Sequence, residues 1–365
     1  MVETLVTAVG LAKIRPLTSD DLPAVRELLS QRDGREWDEA STAWFVKGLD
    51  PEACRAWAAF DGEKPVGLTT MFLRTLSMRG TTASVAYWAN LYVDPQYRDQ
   101  MLYPRLPMAM LNSLKALGVQ FLYAPVRISQ LAKAHLGLGF ANVGRMEVLA
   151  RPLRPARFLA KYKKLPSAAR LVAGPVDAAY RAVVAARAPR VPAGVHIAED
   201  GVDEAPLEAI AELFGKRAAN RIAQPWDAAM LGERYRQTRE GGQYSFVTAR
   251  HGEELTAIAI HRVAERGDGI QVGVLMDLAF RPGAEGDAAA VVRRVEVAAT
   301  AADCELLIYL DGLGAPNREL LLRRGFRRSP EVYEFLVWPK KVVAEDEWIG
   351  DWNRWEFSFR DHDAF

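Results

Sequence analysis

Hydrophobic positions along this chain alternate between a period near two and a period near 3.6, and the order of the alternation occurs twice. Residues 13–17 have the pattern of a short strand, and Thr18-Ser19-Asp20-Asp21 places capping oxygens ahead of a helical run at Leu22, Val25, Leu28 and Leu29. Residues 57–60 and 66–73 flank Asp61-Gly62-Glu63-Lys64-Pro65, the composition of a hairpin turn. A β-branched and aromatic strand follows at 84–93 and ends at Asp94-Pro95, and residues 103–117 then carry helical spacing. A short apolar run at 119–126 predicts a strand covered on both faces, and a helix at 129–138 and a strand at 145–151 close the unit.

The same series returns through 196–198, a helix near 206–214, a hairpin of 244–250 with 255–263, a strand at 271–280, a helix at 288–301 and a strand at 305–310. A helix at 318–324 and a strand at 332–338 finish it. The offset between copies is 187 at Pro95 and Pro282, and 186 at Phe140 and Phe326. So long a period cannot be a solenoid unit, so it predicts two domains: 11–153, a helical linker at 154–193, 194–340, and an aromatic tail at 341–365. Mixed strands with helices on both faces make the expected fold class α/β (α+β), each domain a mixed, mostly antiparallel sheet.

Charge narrows the function. With 47 basic and 46 acidic residues the formal net charge is +1, which gives no global field to recruit nucleic acid or a membrane. Cys54 and Cys304 have neither metal spacing nor a disulfide framework, so no metal is expected and a reducing cytoplasm fits. No stretch approaches the roughly 18 to 20 apolar residues of a membrane span, and residues 1–10 lack the pattern of a secretory signal. The linker is rich in Ala, Arg, Lys and Pro, with its basic residues spread over helix faces rather than blocked together, and is taken as a helical connector packed across both domains in preference to a nucleic-acid or lipid-binding arm. In the tail, Trp355, Phe357 and Phe359 alternate with polar residues as in an edge strand packed on one face, and its carboxylates are candidates to hold an ammonium group.

Set in order, Lys13-Ile14-Arg15-Pro16 with its capped helix, the hairpin before Gly67, Tyr92-Val93-Asp94-Pro95-Gln96-Tyr97-Arg98 and Leu138-Gly139-Phe140 resemble the GCN5-related N-acetyltransferase (GNAT) superfamily. The second unit resembles a diverged copy, and the tandem layout is similar to members associated with bacterial polysaccharide gene clusters. The resemblance implies transfer of an acyl group, acetyl by default, from acyl-CoA to an amine of a small molecule or sugar. It implies pyrophosphate binding at Arg98-Asp99-Gln100-Met101-Leu102-Tyr103, where Met101 and Tyr103 stand in place of the family's small residues. By position, the Tyr92 and Val93 backbone would hold the thioester carbonyl, with Asn90 on the same strand face. His135, five residues before Phe140, stands where many members carry a proton-donating tyrosine and is the candidate general acid; the second copy has Leu321 there. No general base is evident. An acyl carrier protein as donor, or a catalytically silent scaffold, are the alternatives, and a monomer is expected because tandem copies can cover the surface through which single-domain relatives pair.

Overall fold

The computed structural model describes residues 12–186, 191–236, 243–266, 269–312 and 315–362, and the chain divides into two compact units. The first comprises residues up to Leu76, Thr82–Val143 and Phe335–Glu347; the second comprises Ser77–Thr81, Gly144–Glu334 and Trp348–Phe365.

The first unit starts with β1 (Lys13–Pro16), α1 (Leu22–Asp33) and α2 (Glu39–Phe45), followed by β2 (Cys54–Asp61), β3 (Lys64–Met78) and β4 (Thr81–Val93). Then come α3 (Leu102–Ser113), β5 (Phe121–Val126) and α4 (Ser129–Gly137). The sheet order is β1-β2-β3-β4-β5, antiparallel where β1 meets β2 and β2 meets β3, and parallel between β4 and β5. The parallel register runs from Val85↔Phe121 to Tyr87↔Tyr123, and residues of β4 beyond Tyr87 leave that pairing. One core lies under α3, whose Leu102, Leu106, Met110 and Leu111 pack with Trp57, Ala59, Trp88 and Leu122. Gly67 is required at this crossing, because a Cβ there would lie 3.0 Å from the Leu106 Cδ1 and 3.3 Å from the Tyr92 carbonyl.

The second unit holds most of β6 (Ala141–Pro152), α5 (Pro155–Tyr162), α6 (Ser167–Ala186), β7 (Val195–Asp200), α7 (Leu207–Ala218) and α8 (Ala228–Arg236). It continues with β8 (Tyr244–His251), β9 (Glu254–Glu265), β10 (Gln271–Phe280), α9 (Glu285–Ala301), β11 (Leu306–Asp311), α10 (Ala315–Arg323) and the first part of β12 (Arg327–Trp338), while the end of β12 and α11 (Lys340–Glu345) belong to the first unit and most of α12 (Glu347–Gly350) to the second. Its order is β6-β11-β10-β9-β8-β7, with β10 and β11 parallel. On β8, Val247 and Ala249 join the core under α9, while Phe246 meets Tyr235 of α8, so alternation along one strand puts helices on both faces.

Each sheet receives the closing strand of the other sequence copy. In the second unit β6 lies antiparallel on β11 from Leu306↔Pro152 to Asp311↔Glu147. In the first unit the Phe335–Trp338 end of β12 follows β5, and the Phe335 ring stacks on Tyr123 at 5.6 Å. Chain order alone carries no sign of this exchange, because each closing strand follows its own copy in sequence.

The tail corrects an expectation. It makes no edge strand: Trp355, Phe357 and Phe359 are buried, and so are Glu356, Ser358, Arg360 and Asp361 of the opposite parity. A segment buried on both parities is embedded, and its charged residues require partners within the second unit.

Candidate functional site

Beyond Tyr87 β4 leaves its pairing with β5, and its end runs into the turn that leads to α3. Asp94 accepts a hydrogen bond from the Gln96 amide at 2.9 Å and opens a 3-10 turn over Pro95–Gln100. Met101 then takes a left-handed conformation, φ 56° and ψ 27°, before α3 begins. A right-handed residue followed by a left-handed one turns successive N–H groups toward one concavity, the backbone nest that seats anions. At the start of α3 the Arg105 amide bonds the Met101 carbonyl at 3.3 Å and Pro104 has no N–H, which leaves the Leu102 and Tyr103 amides for a ligand.

The expected residues divide by what their side chains touch. Met101 is 66 % exposed and fills no groove; Leu102 is sealed in the core; Arg98 and Asp99 face solvent on the rim. The Gln100 side chain is used structurally, since its Oε1 accepts from the Ala12 amide at 3.1 Å, so it contributes backbone to the nest while its carboxamide oxygen anchors the start of β1. Tyr92 is half-buried, and burial, reinforced by Asp94, raises its phenol above the usual range. Val93 is buried in the core under α3. Asn90 donates to the Thr70 hydroxyl at 2.8 Å, and its main-chain carbonyl accepts from Trp88 Nε1 and the Thr69 hydroxyl, both at 3.1 Å, which fixes β4 where it leaves β5.

His135 is 4 % exposed and packs on the Trp88 ring at 4.3 Å and edge-on to Phe140 at 5.3 Å. Its Nδ1 lies 2.6 Å from the Leu131 carbonyl and 3.1 Å from the Tyr103 hydroxyl. A carbonyl can only accept, so Nδ1 carries the proton, and the Tyr103 oxygen receives the weaker branch of a shared N–H. The Tyr103 O–H is therefore left to donate elsewhere. Burial lowers the His135 pKa and pushes the Tyr103 phenol up to about 12, so both are neutral at pH 7. His135 thus stands behind Tyr103, and the half-buried hydroxyl is the member of the pair placed to meet a ligand. Residues 32 apart in sequence make this pair, and only the return of α4 beside α3 reveals it.

Two predictions arise here. A left-handed conformation costs an L-residue roughly 1–2 kcal/mol and glycine nothing, less about 0.5–1 kcal/mol for glycine's greater chain entropy, so Met101→Gly should stabilise the fold by about 1 kcal/mol. Met101→Val should destabilise it, and urea denaturation of both variants checks the pair. His135 also sets a pH dependence: its folded pKa lies below the unfolded value of about 6.5, so its contribution is complete above that value and is lost as pH falls toward the folded pKa. Removing it with His135→Phe should flatten that part of a stability-versus-pH curve.

The corresponding gap in the second unit is filled. Parallel pairing of β10 with β11 ends at Leu275↔Tyr309, and β10 bulges between Leu275 and Asp277. The tail enters there: the Arg360 amide bonds the Met276 carbonyl at 3.2 Å, and a Cβ on Gly312 would overlap the Phe357 carbonyl. Asp277, fully buried, receives Arg217 through both oxygens at 2.9 and 3.1 Å, Arg360 at 2.8 Å and the Ser358 hydroxyl at 3.2 Å. Glu356 takes Arg217 at 2.6 Å and Arg360 at 3.1 Å through the same oxygen, and Trp226 Nε1 donates to Asp361 at 3.0 Å. Burial alone would raise the Asp277 carboxyl, but the two guanidiniums outweigh it and hold it below its ordinary value. A lone carboxylate inside the apolar run Val272–Phe280 was the sequence signal for this cluster. Two clefts flank it, about 610 Å³ beside Phe214, Trp226 and Glu356, and about 680 Å³ beside Arg217, Phe280, Pro282 and Asn317. Glu285 and Asp287 occupy the first turn of α9, which opposes an anion there, and Leu321 is sealed in the core.

In the first unit the parallel pair β4 and β5 parts ahead of the N-terminus of α3, within a mixed α/β fold. Residues 13–128, which apart from Ser77–Thr81 lie within the first unit, match the family described as acetyltransferase (GNAT) domain. No curated protein matches by sequence. Among solved structures, a GCN5-related N-acetyltransferase from Anabaena variabilis aligns with TM-score 0.58 at 10 % identity, covering 89 % of this chain and 72 % of that one. An Enterococcus faecalis protein described as a probable N-acyltransferase aligns with TM-score 0.60 at 11 % identity, over 89 % and 72 % of the two chains. Saccharomyces cerevisiae N-myristoyltransferase with bound myristoyl-CoA aligns with TM-score 0.60 at 14 % identity, over 90 % and 82 %. At such identities these likenesses speak for the fold alone. Among the described residues, no cluster of three or more His, Cys, Asp or Glu side chains is arranged to hold a metal, and no helix is long and apolar enough to cross a membrane.

Proposed function

We infer that the first unit transfers an acyl group from an acyl-CoA thioester to an amine. The observation that carries this reading is the pairing of a left-handed nest at Met101 with a free Tyr103 hydroxyl backed by His135, both at the end of β4. The thioester supplies an electrophilic carbonyl. The amides of Met101, Leu102 and Tyr103 seat the pyrophosphate, with Arg98 on the rim adding positive charge. The β4 backbone about Tyr92 and Val93, beyond the β5 register, holds the carbonyl oxygen as it gains negative charge. As the carbon–sulfur bond breaks, Tyr103 donates to the departing sulfur, and the His135 N–H steadies the phenol oxygen as its proton leaves. The amine nitrogen bonds the carbonyl carbon and loses its own proton to solvent, and the Tyr103 oxygen regains from solvent the proton it gave to sulfur. The filled gap beside β10 leaves the second unit without this step.

The reading is tested by calorimetric titration of acetyl-CoA and longer acyl-CoA esters, followed by thiol release with a panel of primary amines. Saturable heat and amine-dependent thiol release are expected. Thiol release only from acyl carrier protein thioesters would replace the donor, and no release from any thioester would contradict the reading.

A further inference from the structure

Between Pro152 and Pro192 the sequence has nine basic residues and one acidic residue, in a chain whose total charge is +1. The acidic one, Asp177, is buried, and its two oxygens accept from the Ala156 and Arg157 amides at 2.8 and 3.1 Å, which caps α5 with a side chain of α6. Its charge is spent inside the helical pair. Arg154 and Arg157 are tied to Asp303, and Lys161 bonds Glu305 at 2.7 Å, so these three hold α5 to the body of the second unit. Lys163 and Lys164 point to solvent at the end of α5, and Arg181 is half-exposed on α6.

The apolar residues of this segment face the wrong way for a helix surrounded only by water. More than half of the exposed large hydrophobic side chains among the described residues lie between Leu159 and Val191. Val172, Val176, Ala179 and Val183, spaced four, three and four apart, form one exposed stripe along α6, while Ala173 and Asp177 on the adjoining face are buried. Leu159, Tyr162 and Leu165 add to it at the end of α5, with exposures from 38 % at Leu165 to 63 % at Val172 across the whole set.

We propose that the α5–α6 pair docks in the plane of an anionic lipid bilayer surface, with the valine stripe entering the headgroup boundary and Lys163 and Lys164 meeting lipid phosphates. Charge selects this occupant. A second copy docking by the same face would bring like charges together, because a two-fold contact pairs a surface with itself. Nucleic acid would satisfy the lysines and leave the aliphatic stripe in water. A bilayer with anionic headgroups meets both features at once.

The full-length protein is mixed with phosphatidylcholine vesicles and with vesicles containing about one third phosphatidylglycerol, and sedimented together. Binding is expected to the anionic vesicles only, and it should weaken as salt rises. Lys163→Glu with Lys164→Glu, and separately Val172→Ser with Val176→Ser and Val183→Ser, should each lower the partition on the order of tenfold. Both variants should keep the wild-type circular dichroism and urea midpoint, since these side chains are exposed. Equal binding to neutral and anionic vesicles, or unchanged binding by a folded variant, would overturn the proposal. A dimer in the absence of vesicles that the serine variant abolishes would assign the stripe to a second copy and overturn it equally.

Discussion

Tyr103→Phe is expected to lower kcat/KM by about 10²-fold while leaving the acyl-CoA dissociation constant within a factor of two, because it deletes one proton donor and retains the ring. The size follows from position. Half-buried and neutral up to about pH 12, the phenol remains a donor across the whole working range. Loss of activity should therefore be uniform from pH 6 to pH 9, a signature that separates Tyr103 from a group titrating near neutrality. His135→Phe should have a smaller effect, about tenfold, since His135 acts through the Tyr103 oxygen. Measurement of thiol release for both variants over that pH range checks the order. A His135 loss that exceeds the Tyr103 loss would reverse the assignment of donor and support.

Asp277→Ala is expected to cost about 3–5 kcal/mol of stability, among the largest effects of any single change in this chain. It would leave Arg217 and Arg360 buried with one carboxylate fewer, and it would also remove the Ser358 acceptor. Because Arg360 and Ser358 belong to the tail, this change should loosen the tail as well as the strand. Urea denaturation gives the first quantity, and proteolysis after residue 350 reports the second. Gly312→Ala attacks the same packing from the other side by forcing a methyl into the Phe357 carbonyl, and should expose the tail without touching any charge. A loss below about 1 kcal/mol for Asp277→Ala would mean that the ion cluster is incidental to the tail's position.

Much of the fold was legible because most elements obey a single period. The strand at Gln271–Phe280 is covered on both faces and its apolar run has the same limits in sequence and structure. The helix expected at 103–117 occupies Leu102–Ser113, and the chain past it turns at Gly118, whose φ of 67° ends any helix. The tail was misread for a physical reason. Alternating aromatic and charged residues look like an edge strand only if the charges face water, and here Glu356, Arg360 and Asp361 face Asp277, Arg217 and Trp226 instead. Pairwise partners so far apart in sequence leave no local pattern. The exchange of closing strands was invisible for the same reason, since the edge each strand joins is formed by residues far away in sequence.

The site divides in the same way. The nest was legible as a place, at the turn after Pro95, while its substance was not: the departure from small residues at Met101 and Tyr103 suggested a crowded loop. In the fold Met101 spends backbone strain to keep the nest and turns its side chain to solvent. Tyr103, the other large residue, turns toward His135, and the pairing of its hydroxyl with that ring carries the proposed assignment of the donor.

The most direct test is a crystal structure of the protein soaked with a non-hydrolysable acyl-CoA thioether. The account predicts density with its pyrophosphate on the amides of Met101, Leu102 and Tyr103, and its sulfur within hydrogen-bonding reach of the Tyr103 hydroxyl. Density seated instead in the second unit beside Phe280 and Asn317, with the first-unit nest empty, would contradict it.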